Sequence, residues 1–128
     1  MSRYIALGVT AVISAALGAA VAEGLHAQAK PKAYLVTEIQ VLEAVGVAAY
    51  GPKIQATQKA AGGHLFNTAG GKITFFEGAP APERVAITEW ESLEQARAWY
   101  NSAARKNLVP ERDKAEKILR SYVVEAVQ

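Results

Sequence analysis

Two side chains in this sequence could move a proton. Glu38 stands in the middle of the strand-like run Ala33 to Val41, on the face opposite Leu35 and Ile39. If that face lines an enclosed space, partial desolvation raises the carboxyl pKa, and the group can shuttle protons or hold a polar ligand. The ordinary alternative is an exposed carboxylate, or one paired with Arg84 or Arg120. His64 is the one histidine after residue 29, because His26 falls in the N-terminal segment. An imidazole titrates near neutral pH and can act as a general base. Its ordinary alternative is an exposed residue of an edge strand. Tyr34, Trp90 and Trp99, with Tyr100 beside them, could wall an aromatic pocket, and Asn67 could point its amide into it. Aromatic residues at such spacings are more often core.

Other chemistries are excluded or unsupported. The chain has no cysteine, which removes thiol catalysis, disulfide exchange and cysteine-ligated metals. No His/Asp/Glu cluster has ligand spacing, so no metal is expected. There is no G-x-G-x-x-G with a ribose acid, no P-loop and no G-x-S-x-G elbow, and no cofactor is expected. The formal net charge is +2, with Lys and Arg interleaved with Glu. That balance argues against an electrostatic nucleic-acid binder.

These residues must be positioned by a small number of elements. In Ala33 to Val41, Leu35, Thr37, Ile39 and Val41 share one face, with Tyr34, Val36, Glu38 and Gln40 on the other. Glu43 to Ala61 is Ala-rich and helical. Gly51-Pro52 predicts a kink or restart within it, and Gly62-Gly63 a stop. His64 to Ala69 is a second strand, Gly70-Gly71 a tight turn, and Lys72 to Glu77 a short strand. Arg84 to Trp90 is a further strand, with Glu89 at its end supporting the turn or the next helix. Ser92-Leu93-Glu94-Gln95 is a capping box that starts that helix, with Leu93, Ala96, Tyr100 and Ala103 on one face. Asn101 and Ser102 read as its C-terminal cap. Pro110 opens a helical turn, Glu111 to Lys117, whose alternating charges suit a solvated surface. Ile118 to Val127 is the last strand.

The resulting order, β-α-β-β-(β)-α-β, is the α+β, ferredoxin-like split β-α-β plan with an antiparallel sheet. Two helices cover one face of the sheet. Val36, Phe66 or Phe76, and Tyr122 or Val124 are left to the other, and an apolar sheet face in water invites a partner. A second copy is the simplest cover, so a homodimer is expected.

Residues 1–29 are read apart from the domain at 30–128. Arg3 is a short basic region, Tyr4 to Ala22 carries no charge, and Ala27-Gln28-Ala29 is an A-x-A cleavage pattern. This predicts an export signal cut after Ala29 and a periplasmic or secreted product. The alternative is an uncleaved membrane anchor, since the uncharged run has about the length that spans a bilayer. Its richness in Ala and Gly makes it weakly hydrophobic and favours cleavage.

The run Glu83-Arg84-Val85-Ala86-Ile87-Thr88-Glu89-Trp90, followed by Ser92-Leu93-Glu94-Gln95-Ala96-Arg97-Ala98-Trp99-Tyr100-Asn101-Ser102, closely resembles the domain of unknown function 1330 family. Lys32-Ala33-Tyr34-Leu35-Val36, Gly62-Gly63 and Gly70-Gly71 stand in matching order, and the resemblance spans Lys32 to Val127. It implies a ferredoxin-like fold paired into a dimeric α/β barrel, with no established activity. Two departures stand out. His64 takes a place where the family usually has arginine or lysine. Ala103-Ala104-Arg105 replaces a frequent proline–glutamate–tyrosine, so if that tail lines a pocket, the pocket chemistry here differs. Members of the family mostly look cytoplasmic, so export rests on this sequence alone.

Three functional readings follow. The first is an exported dimeric domain that binds a small organic molecule in a cleft between sheet and helices. The second is a cofactor-free enzyme using Glu38, His64 or both, by analogy with barrels of this superfamily that act as monooxygenases and isomerases; fold analogy alone carries little weight. The third is a structural or stress-associated envelope protein.

Overall fold

The computed structural model describes residues 30–127. The expected export signal at 1–29 lies outside the described residues. Strand β1 (Ala33–Val41) leads into helix α1 (Ala44–Ala60), then β2 (His64–Leu65), β3 (Arg84–Trp90), α2 (Leu93–Tyr100), α3 (Ala103–Lys106), α4 (Val109–Ala115) and β4 (Glu116–Glu125). The sheet order is β2-β3-β1-β4. Every neighbouring pair is antiparallel. This is the ferredoxin-like split β-α-β plan, the fold of dimeric α/β-barrel proteins. Among the described residues no helix is long and apolar enough to cross a membrane.

Local chemistry sets the element ends. Gly62 follows α1 in the left-handed region at φ +95°. There its N–H bonds the Lys59 carbonyl at 3.1 Å and the Gly63 N–H bonds the Gln58 carbonyl at 2.8 Å. That pair of bonds is a Schellman stop, and glycine adopts the required backbone without a Cβ penalty. Ser92 caps α2 by accepting from the Gln95 N–H at 3.2 Å, while Gln95 Oε1 accepts from the Glu91 N–H at 2.8 Å. The reciprocal bond therefore reaches one residue further back than the standard capping box.

Four elements differ from expectation. Helix α1 runs through Gly51-Pro52 without a break, Pro52 being inside it. The proline removes one ladder donor, but packing of Val47, Tyr50 and Gln58 on both sides of it holds the helix. Strand β2 is two residues long, and only the Phe66 N–H to Ile87 carbonyl bond at 3.1 Å continues the pairing. Lys72 to Glu77 is irregular, because the segment pairs with no described strand. Ser102 starts α3 rather than ending α2: its hydroxyl accepts from the Arg105 N–H at 3.3 Å and donates to the Trp99 carbonyl at 2.6 Å.

The register sorts the sheet into two faces. Tyr34, Val36 and Glu38 lie opposite Glu89, Ile87 and Val85 on one side and Val124, Tyr122 and Arg120 on the other. These residues form the face away from the helices. Leu35 and Thr37 share the helix-covered face with Thr88 and Ala86. The core is built there around Ala33, Leu35, Trp90, Ala96 and Trp99, with Ile54, Leu93 and Val123 packed on it.

Candidate functional site

The helix-covered face does not close completely. Between the sheet and α1 to α4 lies a cavity of about 220 Å³, small against the several-hundred-Å³ pockets that hold drug-sized ligands. Leu35, Ile39, Val47, Ile54, Leu65 and the Trp99 ring give it apolar walls. Its polar groups divide by position. Gln58, Thr88 and Asn67 stand among the wall residues, while Tyr50, Arg84, Arg105, Arg112 and Glu116 make an ionisable cluster.

The cluster gathers at one end because of the topology. Arg84 opens β3 opposite Ile39, and Glu116 opens β4 opposite Val41, at the same end of β1. Helix α4, which carries Arg112, runs directly into β4. Tyr50 and Glu116 interact electrostatically, Tyr50 also with Arg105 and Arg112, and Glu116 with Arg84 and Arg112.

A bulge in β4 aims the acid. Glu38 pairs with Arg120 but Ile39 pairs with Ile118, so Leu119 is one residue in excess. Bulges of this kind re-aim the side chains that follow them. Here Ile118 and Glu116 turn to the helix side and into the cavity wall. Glu116 is 5% exposed. Burial holds its carboxyl pKa above the ordinary value, against the opposing pull of Arg84 and Arg112. Burial, aided by the Glu116 charge, also pushes the Tyr50 hydroxyl up to about 12.

Arg105 is 9% exposed. Its guanidinium lies 3.6 Å from the centroid of the Tyr100 ring, and its Nη1 donates to the Tyr100 carbonyl at 2.9 Å. Ring face and carbonyl together hold the cation in place. Arg112 gives its Nε and Nη2 to Asp113 Oδ1 at 3.1 and 2.9 Å. Trp99 is fixed as a wall by its Nε1 bond to Thr57 Oγ1 at 2.9 Å.

Of the residues singled out in the sequence, Trp99 and Asn67 line this cavity. Asn67 does so from the left-handed region, at φ +58°. Trp90 is wholly buried in the core, its ring 5.6 Å from that of Trp99. Its Nε1 has no hydrogen-bond partner among the described residues. Tyr34, Glu38 and His64 belong to the other sheet face. Glu38, 7% exposed, is gripped by Arg120, whose Nε and Nη2 donate to its two oxygens at 2.9 and 2.7 Å. His64 is exposed beside the Phe66 ring, and Tyr34 packs 6.1 Å from that same ring. Glu89 accepts from Lys32 Nζ at 3.1 Å across the sheet.

Glu116, Arg105 and Arg112 were not singled out in the sequence as site residues, and Arg84 was named there only as a possible partner of Glu38. Glu111 to Lys117 reads there as a solvated charged turn, and nothing local shows that the bulge turns Glu116 inward. Arg105 left one trace, as part of the Ala103-Ala104-Arg105 departure after Ser102.

Residues 32–127 match the family described as Domain of unknown function (DUF1330). No functionally curated protein matches the chain. Among solved structures, the chain is similar to RPA0582, a protein of unknown function from Rhodopseudomonas palustris, with TM-score 0.61, 14% identity, and 84% of this chain and 92% of that one covered. It is also similar to SnoaB, a cofactor-independent oxygenase from Streptomyces nogalater, with TM-score 0.56, 12% identity, and 77% and 95% covered. At these identities the likeness is one of fold.

Proposed function

Since this chain belongs to the domain of unknown function (DUF1330) family, which carries no assigned activity, we propose from the site itself that it binds a small organic molecule in the cavity between sheet and helices. The observation that carries this is the cavity wall. It is apolar over most of its extent yet holds convergent polar side chains, the pattern of a ligand site. A thermal-shift screen against small phenolics, lactones and organic acids tests it, and a melting temperature unmoved by every compound would sink it.

A second reading, a cofactor-free enzyme, is favoured by the acid in that wall. Glu116 combines burial, contact with the cavity and a raised pKa, a combination that marks groups able to exchange a proton with a bound molecule. SnoaB gives the fold a cofactor-independent precedent. Glu38 and His64 would serve only a reaction on the outer sheet face. Incubating the protein in air with each compound that raises its melting temperature, and recovering all of them unchanged, would remove the enzyme reading.

The outer face supports pairing of two copies, since Val36, Ile87, Phe66, Tyr122 and Val124 leave it apolar. Residues 1–29 support export. A mature N-terminus at Lys30 in the extracytoplasmic fraction is the expected result.

A further inference from the structure

We propose that the ligand of this cavity is an organic anion, a small carboxylic acid with an apolar body, its carboxylate held by Arg84 and Arg105. The inference rests on the small-molecule reading above and gives it a chemical class.

The reasoning starts from unmatched charge. Buried cations in proteins are paired, because a desolvated charge without a counter-charge is costly. Arg105 is nine-tenths buried, yet among the described residues no carboxylate is within ion-pair distance of it. One of its five N–H groups goes to the Tyr100 carbonyl. Arg84 gives none of its side-chain donors to a described residue. Arg112 is partly neutralised by Asp113. Against three guanidiniums the cavity wall supplies a single acid, Glu116. Its proton is held to higher pH than usual, which weakens it further as a counter-charge. Glu116 itself accepts no hydrogen bond from a described residue, and neither its carboxyl oxygens nor the remaining Arg105 donors are sealed off, so both are open to a molecule in the cavity.

Guanidinium donors arranged in a rigid planar fork match a carboxylate. The remaining wall decides the rest of the molecule. Leu35, Val47 and Ile54 have no polar group, and the Trp99 ring has spent its N–H on Thr57, so none of them serves a second charge. With about 220 Å³ available, the body is a short alkyl chain or a single ring.

The test is calorimetric titration of the full chain with straight-chain and aromatic carboxylates of three to eight carbons, each beside its own primary amide, and with inorganic phosphate. Charge-assisted hydrogen bonds predict that the best acid binds at least about tenfold more tightly than its amide. Arg84→Gln should erase most of that preference, lowering acid affinity far more than amide affinity. Because Arg84 makes no side-chain hydrogen bond to a described residue, this variant should keep the fold, which its circular dichroism spectrum checks. Arg105→Met retains the stem over Tyr100 and should act in the same direction. Amides binding as well as acids would overturn the anion class and leave the small-molecule reading standing. Phosphate binding more tightly than every acid would overturn the carboxylate. Binding of neither acids nor amides would overturn both readings.

Discussion

Trp99 donates its indole N–H to the Thr57 hydroxyl at 2.9 Å, and that hydroxyl donates in turn to the Ile54 carbonyl at 2.7 Å. The first bond ties α2 to α1, the second orients the hydroxyl that receives it within α1, and together they hold the indole as a cavity wall. Thr57→Val keeps the shape but strands the indole N–H in a partly buried place. A loss of about 1–3 kcal/mol in urea unfolding is expected, with Thr57→Ser close to the parent. Equal stability of the valine variant would show that the bond contributes nothing.

Two glycines should respond in opposite ways to alanine. A Cβ on Gly63 would sit 2.9 Å from Thr88 Cγ2 and 3.0 Å from the Trp90 ring. Gly63→Ala should therefore cost about 1–3 kcal/mol through overpacking. A Cβ on Gly51 meets nothing within 4 Å, inside a helix. Gly51→Ala should stabilise by about 0.5–1 kcal/mol. Melting curves of the two variants beside the parent decide both.

Glu116 should leave a pH signature. Its pKa in the fold lies above the ordinary carboxyl value of 4.5, so between those two values the folded protein binds more protons than the unfolded chain. Stability must then fall as pH rises through that window. Glu116→Gln abolishes the dependence. Its melting temperature should match the parent below about pH 4 and exceed it above the raised pKa, the gap opening between. A constant gap at all pH values would show that the Glu116 carboxyl does not titrate as described.

The outer face predicts assembly. Light scattering should give the purified chain twice its monomer mass at micromolar concentration. Val124→Lys, placed on that face opposite Tyr34, should shift it to monomer with the fold kept by circular dichroism. A monomeric parent would contradict pairing through this face.

The framework was readable in the sequence because its signals are local. The Ser92 cap, the Gly62-Gly63 stop and the alternation in Ala33 to Val41 each act within a few residues, and each reappears in the structure. Pro52 does not restart the helix, because propensity yields to packing when a helix buries Tyr50 and Gln58 around it. Lys72 to Glu77 has strand composition, but composition cannot supply a neighbouring strand edge. The ionisable cluster was illegible for a different reason. Arg84, Arg105, Arg112 and Glu116 come from four separate elements, and meet only once the chain has folded. Trp99 and Asn67 stood out in the sequence because an aromatic and an amide draw attention wherever they stand; their place on the wall follows from α2 packing and from the left-handed backbone at Asn67.

The extra residue Leu119 leaves β4 with two nearly equivalent ways to lie along β1. Smoothing the bulge would pair Ile39 with Leu119 and Val41 with Lys117, exchanging one aliphatic side chain for another inside the sheet. Hydrophobicity barely separates these alignments. Charge does: the smooth alignment carries Lys117 toward Arg84, Arg105 and Arg112, whereas the observed one brings Glu116. Like charges gathered at low dielectric repel strongly. The arginines thus favour the bulged alignment over the smooth one, and the same side chains that make the cavity basic also bias how its last wall is laid.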